Sequence, residues 1–91
     1  MSIVVMFETR AMDEGKYDEV LTQLEKAGAG APAGRLHHVC YKIEDGLGVT
    51  DVFDSMENFE AFGKILIPIL IGLGIDPGQP AVREVYNVIR G

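Results

Sequence analysis

The stretch RLHHVCYKIEDGLGVTDVFD (35–54) decides the fold. Residues 35–43 and 47–54 are rich in β-branched and aromatic side chains, and the acidic, glycine-ended triplet Glu44-Asp45-Gly46 separates them. Two such runs about a short turn predict a β-hairpin, with Gly46 supplying a positive φ. Ser55 follows directly and offers an N-cap to a helix whose inward stripe is Phe59, Phe62, Leu66, Ile69 or Leu70, and Leu73. Pro68 falls inside that helix and predicts a kink or a break into two pieces.

Upstream, Gly28 to Gly34 is a small, flexible connection of glycine and alanine around Pro32. Before it, Asp13 predicts the cap of an amphipathic helix with Tyr17, Val20, Leu21, Leu24 and Ala27 on one face, closed by Gly28. Residues 2–9 read as a strand that is apolar on both faces, the pattern of a central strand. Downstream, Pro77-Gly78 marks a turn and residues 81–90 read as a final strand. The order is β-α-β-β-α-β. It predicts an α+β, ferredoxin-like domain over 1–91, with a four-stranded antiparallel sheet and both helices on one face.

Two helices cover only one face of such a sheet. With 47% of its 91 residues hydrophobic, the chain has more apolar surface than so small an interior can absorb. A homodimer joined through the uncovered sheet faces is the expected outcome. Eight basic residues against fourteen acidic give a formal charge of −6, which disfavours nucleic acid and anionic membranes as partners. The apolar start meets Glu8 at once and lacks a basic lead, so it reads as strand rather than signal peptide. The run from Ile65 to Ile75 is too short to span a bilayer. One cysteine cannot form an internal disulfide, and a cytoplasmic protein is the default expectation.

Several segments carry a family likeness: Gly34-Arg35-Leu36-His37-His38-Val39, then Asp45-Gly46, then Asp51-Val52-Phe53-Asp54-Ser55-Met56-Glu57-Asn58-Phe59-Glu60-Ala61-Phe62, then Ile67-Pro68 and Leu73-Gly74. In these the chain resembles the dimeric α+β barrel superfamily, in particular small bacterial proteins of antibiotic-biosynthesis-monooxygenase type and uncharacterised relatives. The resemblance implies the fold above, dimerisation, and a pocket for a small aromatic or polyketide-like molecule. Haem-degrading members use a tryptophan and a helical axial histidine. This chain has no Trp, and neither histidine lies on a predicted helix, so that route is not expected.

His37 and His38 are the only imidazoles, and neighbours on a strand face opposite ways, so they cannot chelate one metal together. The resemblance favours His38, whose near-neutral titration suits acid–base work, although a hydrogen-bonded strand histidine is the plainer account. Tyr41 and Tyr86 are candidate hydroxyl donors to a ligand, or amphipathic sheet residues. Phe53, Phe59, Phe62 and Met56 would converge under the second helix, as a pocket wall or simply as core. Asp51 and Asp54 are weaker candidates for a base, being close to a helix N-terminus that keeps carboxylates charged. Arg35, Arg83 and Arg90 could meet an anionic ligand or pair with surface acids. Cys40 reads as a small buried hydrophobe. No phosphate loop, paired-cysteine motif or zinc spacing occurs, and no metal or other cofactor is expected. An acid–base enzyme, a non-catalytic binding or scaffold dimer, and a subunit of a larger assembly all remain open.

Overall fold

A computed structural model of the chain describes residues 1–89 and 91. The elements run β1 (Ile3–Thr9), α1 (Glu14–Lys26), β2 (Arg35–Ile43), β3 (Gly46–Phe53), α2 (Met56–Gly72) and β4 (Ala81–Glu84). The strands form one antiparallel sheet in the order β2-β3-β1-β4, so β1 is central, as its two apolar faces require. This is the ferredoxin-like arrangement.

Each helix begins and ends on the signals in its sequence. Asp13 accepts from the Lys16 amide at 2.8 Å and Ser55 from the Asn58 amide at 3.1 Å, so both N-termini are capped by side chains. At the other ends Gly28 and Gly74 adopt φ of 75°, and the residues after them turn back. Ala29 N–H donates to Leu24 and Ile75 N–H to Leu70, the six-to-one closure of a left-handed cap. The closure buries Ile75 against the core beside Leu70.

Pro68 does not break α2, which runs unbroken from Met56 to Gly72. Both Pro68 and Lys64, whose carbonyl loses its amide partner, lie on the exposed side of the helix. Water can serve that carbonyl, so the lost bond is cheap there. The hairpin turn also differs from expectation. The positive φ belongs to Asp45, at 62°, and Gly46 is needed for another reason: a Cβ there would collide with the Thr9 carbonyl oxygen of β1.

The last strand is shorter than the predicted 81–90. Ile3 opposes Glu84, and Val85 N–H makes a final bond to the Ser2 carbonyl at 2.9 Å. No described residue continues the ladder past that bond. Tyr86, Val88 and Ile89 therefore project into solvent, while Arg90 lies outside the described residues.

Side-chain alternation divides the sheet. Ile3, Val5 and Phe7 of β1 and Leu47, Val49, Asp51 and Phe53 of β3 face the helices, and a bulge at Leu36 sets the register of β2 so that His38 stands opposite Asp51. Val4, Met6, Val39 and Val52 occupy the other face, where Met6 and Val39 are exposed.

Candidate functional site

Asp51 is the buried polar residue among the described ones, set in an otherwise apolar inward row. Burying a carboxylate is costly without a partner, and here the partner is His38. The Asp51 Oδ1 atom accepts from His38 Nδ1. That bond leaves Nε2 as the acceptor of neutral imidazole. Tyr17, reaching down from α1, donates its hydroxyl to Nε2 at 2.7 Å, with the phenol and imidazole rings within 4° of parallel. Three elements thus contribute one group each to a continuous chain: Tyr17 from α1, His38 from β2, Asp51 from β3. The bulge in β2 places His38 directly across from Asp51.

This chain of bonds lines a cleft between sheet and helices. Two neighbouring chambers of about 60 and 110 Å³ share Phe7, Val49, Asp51, Phe62, Leu66 and Leu70 as walls. The smaller also presents Tyr17, Arg35 and His38, and the larger extends past Phe59 toward Pro77 and Pro80. Arg35 lies 5.9 Å above the Phe62 ring and donates to the Gly30 carbonyl at 3.2 Å. No carboxylate pairs with it among the described residues.

Burial pushes the Tyr17 hydroxyl above its ordinary value of 10.0, helped by neighbouring Cys40 and Asp51 and opposed by Arg35. Burial likewise raises the Cys40 thiol above 9.0, so it stays neutral and is a poor nucleophile. A raised folded-state value means that stability present below the unfolded value is lost as pH rises through the folded one. Stability is therefore expected to fall from about pH 9 upward, steepening above 10. Tyr41, raised chiefly by its bond to Glu8, adds to the loss in the same range. Denaturant melts between pH 8 and 11 should show a gentler decline for Tyr17→Phe than for the unaltered chain.

The remaining sequence candidates stand elsewhere. His37 is exposed on the opposite sheet face. Tyr41 lies on that face too, donating to Glu8 Oε2 at 2.8 Å. Tyr86 is fully exposed beyond the last strand and lines neither chamber of the cleft. Phe59 and Phe62 line the cleft, but Phe53 is sealed in the core beneath them, with ring centroids 5.5 and 5.8 Å away, and Met56 is exposed at the start of α2. Asp54 is exposed and accepts from the Asn58 side-chain amide. Among the described residues, no group of three or more His, Cys, Asp or Glu side chains is placed to hold a metal ion. Sequence reasoning passed over Tyr17 as core and discounted Asp51. An acid at an inward position of an alternating strand was the signal for the latter.

No family model and no curated protein matches the chain by sequence. Solved structures do match. A candidate antibiotic biosynthesis monooxygenase from Caulobacter crescentus CB15 aligns with a TM-score of 0.58 at 17% identity, covering 97% of this chain and 89% of that one. A protein of unknown function from Nitrosomonas europaea aligns at 0.56 and 17% identity, over 99% and 92% of the two chains. The likeness shows the fold, the one the sequence resemblance implied.

Proposed function

From that fold and that site, we propose that the chain is a small acid–base enzyme, monooxygenase-like or cyclase-like, acting on a small aromatic or polyketide-like molecule in the cleft. The carrying observation is His38 held between the Tyr17 hydroxyl and the Asp51 carboxylate at the cleft wall. With Tyr17 donating to Nε2, its oxygen is open to accept from a ligand hydroxyl. A proton leaving the ligand passes to the Tyr17 oxygen as the Tyr17 proton passes to Nε2. The products are a ligand anion and an imidazolium stabilised by Asp51. Tyr17 touches the substrate, His38 takes the proton, and Asp51 selects the tautomer. An ionised hydroxyaromatic can then yield an electron to dioxygen, and an ionised enol can attack a carbonyl.

His38→Ala leaves the buried Asp51 carboxylate without its partner and should cost about 1–3 kcal/mol of stability, and the folded fraction should lose about 10²–10⁴-fold in turnover, the usual range for removing a general base. Full turnover in that variant would refute the reading. The modest size of both chambers favours the second reading, a non-catalytic binding dimer. On that reading His38→Ala costs the same stability, through the unpaired Asp51 carboxylate, and no activity.

The working unit we propose is a homodimer of one-domain chains in the cytoplasm. Val4, Met6, Val39 and Val52 form an apolar patch on the sheet face away from the helices, which no described helix covers, and a second copy offers the same face about a two-fold axis. Sedimentation at micromolar concentration should give twice the 9.9 kDa chain mass, and a monomer would overturn this.

A further inference from the structure

The acid–base reading leaves the substrate's size and charge unstated, and the cleft constrains both. Together the two chambers are comparable with the cavity of about 150 Å³, lined by Leu, Ile and Phe, that admits benzene. They are well short of the 300 Å³ or more of a typical drug-sized site. Their shared walls, Val49 and Phe7 of the sheet and Phe62, Leu66 and Leu70 of α2, are apolar, with Asp51 as the polar exception. Polar groups gather at one end. Tyr17, His38 and Arg35 all border the smaller chamber, whereas the larger presents none of them.

Arg35 adds a charge requirement. Arg35 is a half-buried residue whose guanidinium lies over the Phe62 ring, with one bond to the Gly30 carbonyl and no carboxylate partner among the described residues. It is also close enough to oppose the other charges acting on the Tyr17 hydroxyl. Asp51 is already engaged by His38, so an anion beside Tyr17 meets an unmatched cation.

Resting on the acid–base reading, we infer that the substrate is a single-ring hydroxyaromatic, or an enol of that size. Its ring fills the larger chamber, its acidic hydroxyl sits on Tyr17, and its anion faces Arg35. A single ring is the size that the two chambers hold within their walls, whereas fused rings would project from the open cleft and leave part of their apolar surface wet. In the reaction the ligand O–H bond breaks, its proton ends on His38 Nε2 by way of Tyr17, and the electron pair stays on the ligand oxygen.

The test is a titration series with the full chain, using 4-nitrophenol, 2-naphthol and 1,8-dihydroxyanthraquinone, read by calorimetry and by the absorbance of ionised 4-nitrophenol. The titratable or charged groups bordering the smaller chamber are Tyr17 on α1, Arg35 and His38 on β2 and Asp51 on β3, with Cys40 beside Tyr17; α2 and β1 present none. Bound 4-nitrophenol should ionise at lower pH than free. Arg35→Gln should cancel that shift and Arg35→Lys should retain most of it. 2-Naphthol should bind at least about tenfold more weakly, and Leu66→Ala should recover the difference, as expected when a pocket wall sets size selection. The three-ring compound should bind more weakly still.

Binding of the three-ring compound as tight as that of 4-nitrophenol would overturn the size limit and leave the acid–base reading intact. An unshifted ionisation with the size preference preserved would overturn the role of Arg35. No binding of 4-nitrophenol at all would overturn the inference entire. Turnover that survives in His38→Ala is a separate result, and it removes the acid–base reading alone.

Discussion

Phe53→Ala is expected to cost about 3–5 kcal/mol, the range for removing a fully enclosed aromatic ring. Phe53 has no exposed surface and sits at the end of β3, where it meets Phe59 and Phe62 of α2 in tilted ring contacts. It also faces Ile3 across the sheet, so the one side chain joins the central strand, its neighbour and the helix that follows. Those surroundings are held by strands on one side and a capped helix on the other, so they cannot collapse to refill the space. Domains of this size have about 5–15 kcal/mol in total, so the variant should be marginal at room temperature. Urea melts would show it as a fall in midpoint with little change in slope. A loss under about 1 kcal/mol would mean that Phe53 is less enclosed than its geometry states.

On the proposed acid–base reading, Asp51→Asn is expected to leave the fold intact and to lower turnover by about 10²–10⁴-fold. The amide keeps the shape of the carboxylate and its oxygen can still accept from His38 Nδ1. It removes the negative charge that steadies the imidazolium, and its NH₂ group can instead donate, favouring the other tautomer. Nitrogen-detected NMR of the imidazole should show a single Nδ1–H tautomer in the unaltered chain and a mixture in Asp51→Asn. Tyr17 would then accept from Nε2–H in part of the population, and the path for the proton would be broken. A variant with one unchanged tautomer and full turnover would show that Asp51 serves only to satisfy a buried imidazole. Asp51→Leu separates the two roles further. It leaves His38 Nδ1 without a partner and should lose about 1–3 kcal/mol of stability as well as activity.

Local chemistry made the element order readable. Asp13 and Ser55 before their helices, Gly28 and Gly74 after them, and the Glu44-Asp45-Gly46 turn each act within a few residues, so their meaning does not depend on what the chain later packs against. The same holds for alternation along a strand, which set His37 and His38 on opposite faces; the structure puts His38 on the helix side. The errors fall where a neighbour decides. Residues 85–89 have strand-like composition, but a strand needs a partner backbone, and past the Val85–Ser2 bond no described strand pairs with them. Gly46 is required by the Thr9 carbonyl of a strand nearly forty residues earlier, not by its own φ. Pro68 is tolerated because its side of α2 faces water, a property of how the helix docks.

The site divides in the same way. That His37 and His38 face opposite ways was determined by the sequence, and the β2–β3 register turned His38 inward. Its company was decided only by the tertiary structure. Tyr17 is twenty-one residues away on another element, and spacing within α1 marks it only as part of an inward stripe. Asp51 is legible as an acid in an apolar row, yet its pairing depends on the β2–β3 register, which the bulge at Leu36 sets. Local propensity and side-chain period are written into neighbouring residues. Hydrogen bonds between side chains on three different elements exist only once strand register and helix docking are fixed together, because each tolerates errors of a few tenths of an ångström and no more.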